Sequence, residues 1–215
     1  IISFSNENLT FIYCAERNAS SSLKHQRRRE NLKALGVFGC KKNQIIYLND
    51  HFIVDDLKLI EASLDIYDFI NVFLKKTNIK QLITLNFEGG HPDHDALALI
   101  VQKITNKSPF ITSLFVPAYN SRKTFMLPVS VFRPLAKQRN FFTKEVCPLF
   151  IWIDALKIAI AYRSERHAFI KLLPFIIYNA IFSRSIYITS TIDTESVDWT
   201  QSLSLTRYSV EILDI

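Results

Sequence analysis

Glycine is scarce in this sequence, with four residues among 215, although average usage in proteins is about 7%. Two of the four stand side by side, as Gly89 and Gly90. Glycine adopts backbone conformations that cost other residues free energy, so tight turns favour it. The pairing of two scarce glycines therefore indicates a tight turn at this position, with a backbone conformation that other residues would adopt only at a cost in free energy.

Cysteine is also scarce, and its placement excludes several kinds of site. Cys14, Cys40 and Cys147 are odd in number and far apart. They have neither the paired spacing of a zinc ribbon nor that of a redox pair. We therefore expect buried free thiols in a reducing compartment, and predict a cytoplasmic location.

Long apolar runs are absent as well. The two longest candidates are interrupted, residues 149–162 by Asp154 and Lys157 and residues 169–182 by Lys171. The sequence therefore predicts no transmembrane helix. Residues 169–182 have two interpretations: a core helix, which we favour, or a peripheral membrane contact if the substrate is linked to a lipid.

The charge balance is basic, with a formal net charge of +6 and a pI near 9.2. Such a surface favours anionic partners such as phosphorylated sugars, although a solvated basic face is an equally good interpretation. Nucleic acid is disfavoured, because the Arg27–Arg29 cluster is short and has no interleaved aromatic platform. The length and the 48% of hydrophobic residues predict one domain, with a core at 9–116 and an extension at 117–215.

Strand and helix patterns alternate through the first half of the chain. The predicted strands are residues 9–14, 44–48, 81–87 and 110–116, and the predicted helices between them are residues 23–36, 57–76 and 95–105. This order predicts an α/β fold whose mainly parallel sheet has helices on both faces. The extension is irregular, with a strand predicted at 150–153, a helix at 154–162 capped by Asp154, and a last strand at 208–213.

The double glycine lies between the third predicted strand and the third predicted helix. The turn reads Glu-Gly-Gly-His-Pro-Asp-His-Asp over residues 88–95. Open α/β sheets bind ligands at the carboxyl ends of their strands. Two imidazoles and two carboxylates within five residues exceed what a structural turn needs, so we predict a functional site here.

His91 and His94 are three residues apart at a helix start, so their side chains can face the same side. One histidine can bind a metal while a carboxylate orients it, and the other can act as an acid or electrophile. Two such histidines more often share a polar turn than bind a metal. The glycine pair and the strand–turn–helix context are what favour a site.

The turn resembles the second signature, His-Pro-Asp-His, of the PIG-L/LmbE-like de-N-acetylases. Further likenesses lie elsewhere in residues 9–170: Arg27, Glu30 and Leu35-Gly36-Val37 resemble the family's Arg-x-x-Glu helix, and Leu48 with Asp50 resembles its next strand end. Near its C-terminus the family often has a lysine, then an aromatic residue or a histidine, then Ser-Gln. Here Lys157, Tyr162 and Ser164-Glu165 resemble a variant of this pattern.

The resemblance implies a Rossmann-like α/β domain and zinc-dependent removal of the N-acetyl group from an amino sugar, free or lipid-linked. His94 would be a zinc ligand, and His91 would stabilise the oxyanion or protonate the leaving amine. Asp93 would set the charge of a histidine. Glu88 and Arg122 are weaker candidates for contacts with the substrate.

One family feature is missing. The first signature, His-Pro-Asp-Asp-Glu, supplies the remaining zinc ligands and the general base, and this sequence does not contain it. The nearest stretch, His51 to Asp56, has a different spacing. The sequence has no initiator methionine either, so we expect an N-terminally truncated chain. The alternative is a catalytically inactive member that binds a glycan or a partner. A Rossmann nucleotide binder is disfavoured, because no Gly-x-Gly-x-x-Gly follows a strand.

Overall fold

A computed structural model provides the structure of the chain. It describes residues 9–16, 20–89, 91–120, 130–134 and 136–192. Their contacts divide the chain into two compact units, which are described separately below. The first unit combines residues 1–51 with 146–185, and the second combines residues 52–145 with 186–215. The single domain with an extension after residue 116 stays a prediction.

The described residues form five α-helices and eight short strands. In chain order these are β1 (Phe11–Tyr13), α1 (Ser21–Gly36), β2 (Ile45–Tyr47), α2 (Ser63–Lys76), β3 (Gln81–Leu85), α3 (Pro92–Lys107), β4 (Thr112–Val116), β5 (Tyr119–Asn120), β6 (Ser130–Val131), β7 (Thr143–Val146), α4 (Leu149–Ala161), α5 (Arg166–Tyr178) and β8 (Ser185–Ile188). The predicted α/β class is confirmed at this level.

The strands pair in twos in the described part of the chain. β1 with β2 and β3 with β4 are parallel, β5 with β6 is antiparallel, and β7 pairs with β8. The parallel pairings are those that the βαβ pattern predicts, since α1 connects β1 to β2 and α3 connects β3 to β4. The hydrogen-bonded sheets are smaller than the four-stranded sheet that the sequence pattern suggests.

In the second unit, α3 packs on β3, β4 and α2. The helix buries Ile100 and Ile104, which are four residues apart and so lie on one face. Phe115 of β4 is fully buried, as is Phe87, which lies two residues after the end of β3. This core holds the carboxyl end of β3 and the amino end of α3 in place, and these two ends carry the histidine turn.

In the first unit, α1 packs on α4, and α4 packs on α5. The predicted strand at 150–153 is wrong, because these residues belong to α4. Trp152 and Ala159, seven residues apart, form the buried side of that helix. A short apolar run does not by itself distinguish a buried strand from a helix. Asp154, predicted as an N-cap, lies inside α4 and accepts a hydrogen bond from Lys157 at 2.8 Å.

Helix α1 ends at Gly36, the end that the sequence pattern predicts. Residues 169–182 are helical, as expected, and they bury Ile176, Asn179 and Ala180, while much of their remaining apolar surface is exposed. None of the helices that the structure describes has the length and apolar character needed to span a membrane. The predicted strand at 208–213 lies outside the described residues.

Candidate functional site

The histidine turn is closed by a carboxylate reaching back to the end of β3. Asp95 Oδ1 accepts backbone N–H groups from Glu88 at 2.7 Å and from Gly89 at 3.2 Å. Gly89 has a φ of 66°, in the left-handed region that favours glycine. Asp95 is 1% exposed, so its carboxylate takes the place of the water molecules that would otherwise accept hydrogen bonds from the two N–H groups. Gly90 lies outside the described residues.

The helix after the turn begins earlier than the sequence pattern indicates, at Pro92 instead of near residue 95. Proline suits the first helical position, since its missing N–H would have no partner there. His91 is the N-cap, and its Nδ1 accepts the Asp93 N–H at 3.3 Å. An accepting nitrogen carries no proton, so a neutral His91 has its proton on Nε2. The Nε2–H can therefore donate to a ligand.

Asp93 connects the turn to the loop that precedes α2. Its carboxylate accepts the backbone N–H of Leu57 at 2.8 Å and that of Leu59 at 3.1 Å, and the residue is 7% exposed. Leu57 has a φ of 67°, which a non-glycine residue adopts only when its surroundings hold it there. Asp93 thus keeps this loop, with Asp56, against the first turn of α3.

His91 and His94 form a stacked pair, with ring centroids 4.3 Å apart and planes tilted by 21°. Burial, with a smaller contribution from the neighbouring His91, lowers the pKa of His94 to about 4. His94 is therefore neutral near pH 7, and a neutral imidazole is the form that binds a metal.

One group of side chains in the described residues could hold a metal ion. Ligand atoms of Asp56, His91 and Asp93 lie within 4.8 Å of one another. The set offers two carboxylates and one imidazole, and these donor types suit zinc and other small divalent cations. The donor chemistry therefore fits a divalent metal, although His94, the predicted ligand, lies beside this group and is not part of it.

Asp56 is the residue that sequence reasoning missed. It lies in the stretch His51 to Asp56, whose spacing differs from that of the family's first signature and which was therefore not expected to supply a ligand. The structure brings Asp56 to His91 and Asp93. The paired carboxylates of Asp55 and Asp56, just before a helix pattern, are the one signal that could have drawn attention to it.

Glu88, a predicted substrate contact, is 5% exposed. Its Oε2 accepts the backbone N–H of Ala118 at 3.1 Å, which ties the end of β3 to the segment after β4. A substrate role for Glu88 stays a prediction. Arg122, the other predicted contact, lies outside the described residues.

Two stretches that are far apart in sequence, one in α1 and one just before α5, meet in the first unit. Glu30 of α1 accepts hydrogen bonds from the backbone N–H and the hydroxyl of Ser164, and Arg27 forms an ion pair with Glu165. Burial alone would raise the pKa of Glu30, but the bonds from Ser164 and Gln26 outweigh it and hold that pKa below its ordinary value. The two motifs therefore form one ionised cluster.

Comparison of the chain with protein-family models, with curated proteins and with solved structures found no match. The functional argument therefore depends on the residues and their geometry.

Proposed function

We propose that the protein is a metal-dependent hydrolase that removes the N-acetyl group from an N-acetylamino sugar, on a Rossmann-like domain of the PIG-L/LmbE-like kind. The observation that carries the proposal is the arrangement at the start of α3. There a capping His91, a half-buried neutral His94 and a clamped Asp93 stand together, with Asp56 near His91 and Asp93.

Asp56, Asp93 and a histidine would hold the metal, which we expect to be zinc. When bound, a divalent cation supplies a Lewis acid that polarises the amide carbonyl and activates water. His94 is suited to bind it, because burial keeps this imidazole neutral, and a neutral imidazole is the form that binds a metal. The loop clamp of Asp93 fixes the position of its carboxylate before any metal arrives.

His91 is better suited to the substrate than to the metal. Its Nδ1 lone pair is used by the Asp93 N–H, and a neutral imidazole that bound a metal through Nε2 would need a proton on Nδ1. Metal binding through either nitrogen would therefore break this cap. With the cap in place, a neutral His91 carries its proton on Nε2, and this N–H would stabilise the oxyanion that develops as an amide is attacked.

The substrate class follows from the charge and the resemblance. A formal net charge of +6 supports an anionic substrate, and we propose a phosphate-bearing or lipid-linked amino sugar, with Glu88 and Arg122 as candidate contacts. Cys14, Cys40 and Cys147 are buried free thiols, which supports a reducing, cytoplasmic compartment.

A non-catalytic glycan or partner binder is the second candidate. Its support is the missing first signature, together with the capping and clamping bonds that already use His91 and Asp93. These bonds would stabilise a turn that no longer performs chemistry. Such a protein would bind an amino sugar without releasing acetate.

The test is acetate release by the protein made from its full reading frame, supplied with zinc. The substrates are N-acetylglucosamine, its 1-phosphate and a lipid-linked form. We expect His91→Ala to lower kcat about a hundredfold or more while metal binding persists. His94→Ala should lose both metal and activity. His25→Ala, at an exposed histidine of α1, is the matched control and should behave as wild type.

Bound amino sugar without acetate release from any substrate would favour the non-catalytic alternative. Full activity of the His94→Ala protein with no bound metal would refute the hydrolase proposal.

A further inference from the structure

We propose that α5 is a membrane-docking helix, which lies in the plane of an anionic lipid surface. The proposal stands apart from the hydrolase proposal, because it concerns α5 of the first unit and not the histidine turn.

The first observation is an exposed apolar stripe along α5. A π-helical turn, Asn179–Ser183, continues the helix directly. The stripe consists of Ile170, Leu173, Pro174, Ile177 and Ile181. These positions follow the i, i+3, i+4, i+7 spacing of one helical face. Ile170 is 60% exposed and Ile181 is 57% exposed. The solvent-facing side of a helix normally carries polar residues, whereas this exposed side of α5 carries apolar ones.

The second observation is what borders the stripe. Arg166 and His167 stand at the amino end of the helix, Lys171 lies beside the stripe, and Arg184 follows the π turn, all exposed. The acidic residues of the α4–α5 hairpin are engaged in ion pairs, Asp154 with Lys157 and Glu165 with Arg27. The exposed charge around the stripe is therefore cationic.

These features select a lipid surface over a protein groove. An apolar face bordered by arginine and lysine is the pattern of helices that lie at the boundary between headgroups and acyl chains. Each lysine or arginine near an anionic leaflet adds attraction. The helix cannot instead cross the bilayer, since no described helix has the required length and apolar character. Docking in the plane places the stripe in the acyl boundary and the cations among phosphates.

The experiment is co-sedimentation of the full-length protein with vesicles. One set contains phosphatidylcholine alone, and the other contains phosphatidylcholine and phosphatidylglycerol in equal parts. We expect binding to the anionic vesicles, loss of binding as salt is raised, and little binding to the neutral ones.

The variants separate the two parts of the surface. Ile170→Gln with Ile177→Gln should weaken binding about tenfold or more, since both side chains leave water on docking. Arg166→Gln with Lys171→Gln should weaken binding to anionic vesicles and reduce its salt dependence. The matched control is Phe110→Gln with Ile53→Gln, which removes two exposed apolar side chains of the second unit and should bind as wild type.

A direct reporter is Ile181→Trp, whose fluorescence should shift to the blue on vesicle addition and be quenched by brominated acyl chains beyond the signal of the native tryptophans. Equal binding to neutral and anionic vesicles would overturn the anionic preference. Absence of binding to both kinds of vesicle would overturn membrane docking. A dimer in sedimentation velocity that Ile170→Gln with Ile177→Gln dissociates would also overturn it, and would assign the stripe to a second copy of this chain.

Discussion

Two histidines of the same turn acquire different chemistry from their surroundings. His91 caps α3 through Nδ1, so its proton is directed to Nε2. His94 is half-buried and stacks on His91, and both its burial and its neighbour disfavour its charged form. At the residue scale the turn therefore pairs a capping imidazole with a neutral one, a difference that acid–base and metal chemistry can use.

The titration of His94 is the prediction at this scale. Burial, and then the neighbouring His91, lowers its pKa to about 4 from an ordinary value of 6.5. The imidazole should therefore stay neutral above about pH 5, and an NMR titration of the metal-free protein should place its midpoint near 4.

The same shift predicts how stability changes with pH. Unfolding lets His94 bind a proton at its ordinary pKa, so its contribution is fully favourable above pH 6.5 and is lost as pH falls towards 4. Denaturant unfolding at pH 7 and pH 5 should show this loss in wild type and a smaller one in His94→Gln. A midpoint at or above 6.5 would contradict the buried, neutral histidine.

At the element scale, the amino end of α3 is where the local sequence specifies most. His91 caps the helix, Pro92 begins it, Asp93 holds the loop of Leu57, and Asp95 holds the end of β3. The sequence pattern located this turn correctly, although its helix was expected to start near residue 95. The His-Pro-Asp stretch reads as a turn by composition, whereas proline and a capping side chain in fact extend the helix towards β3.

Asp95→Ala should destabilise the protein by about 2–4 kcal/mol, because it leaves the Glu88 and Gly89 N–H groups without their shared acceptor in a buried place. The control is Asp65→Ala, an exposed acidic residue in the first turn of α2, where loss of the charge should cost about 0.5 kcal/mol. Urea unfolding measures both. Equal losses for the two variants would show that Asp95 does not close the turn.

At the scale of the whole chain, the alternation of strands and helices predicted the α/β class and the two parallel pairings, β1–β2 and β3–β4. It did not predict the two-stranded sheets, and it predicted only the second part of α4, residues 154–162, as a helix. Strand pairing depends on contacts between distant residues, and the apolar run of α4 satisfies a strand and a helix equally. The candidate site was also predicted only in part. The turn was found from its local residues, whereas Asp56 was missed because only the folded loop brings it to His91.

The measurement that tests the central claim most directly is metal removal and return. The full-length protein is treated with a chelator, its metal content is measured by mass spectrometry, and acetate release from N-acetylglucosamine 1-phosphate is followed before and after zinc is restored. A metal-dependent de-N-acetylase should lose acetate release with its metal and regain it with about one zinc per chain, while Asp56→Asn should weaken the retention of zinc. Unchanged acetate release by the metal-free protein would contradict the account, as would a protein that takes up no divalent cation.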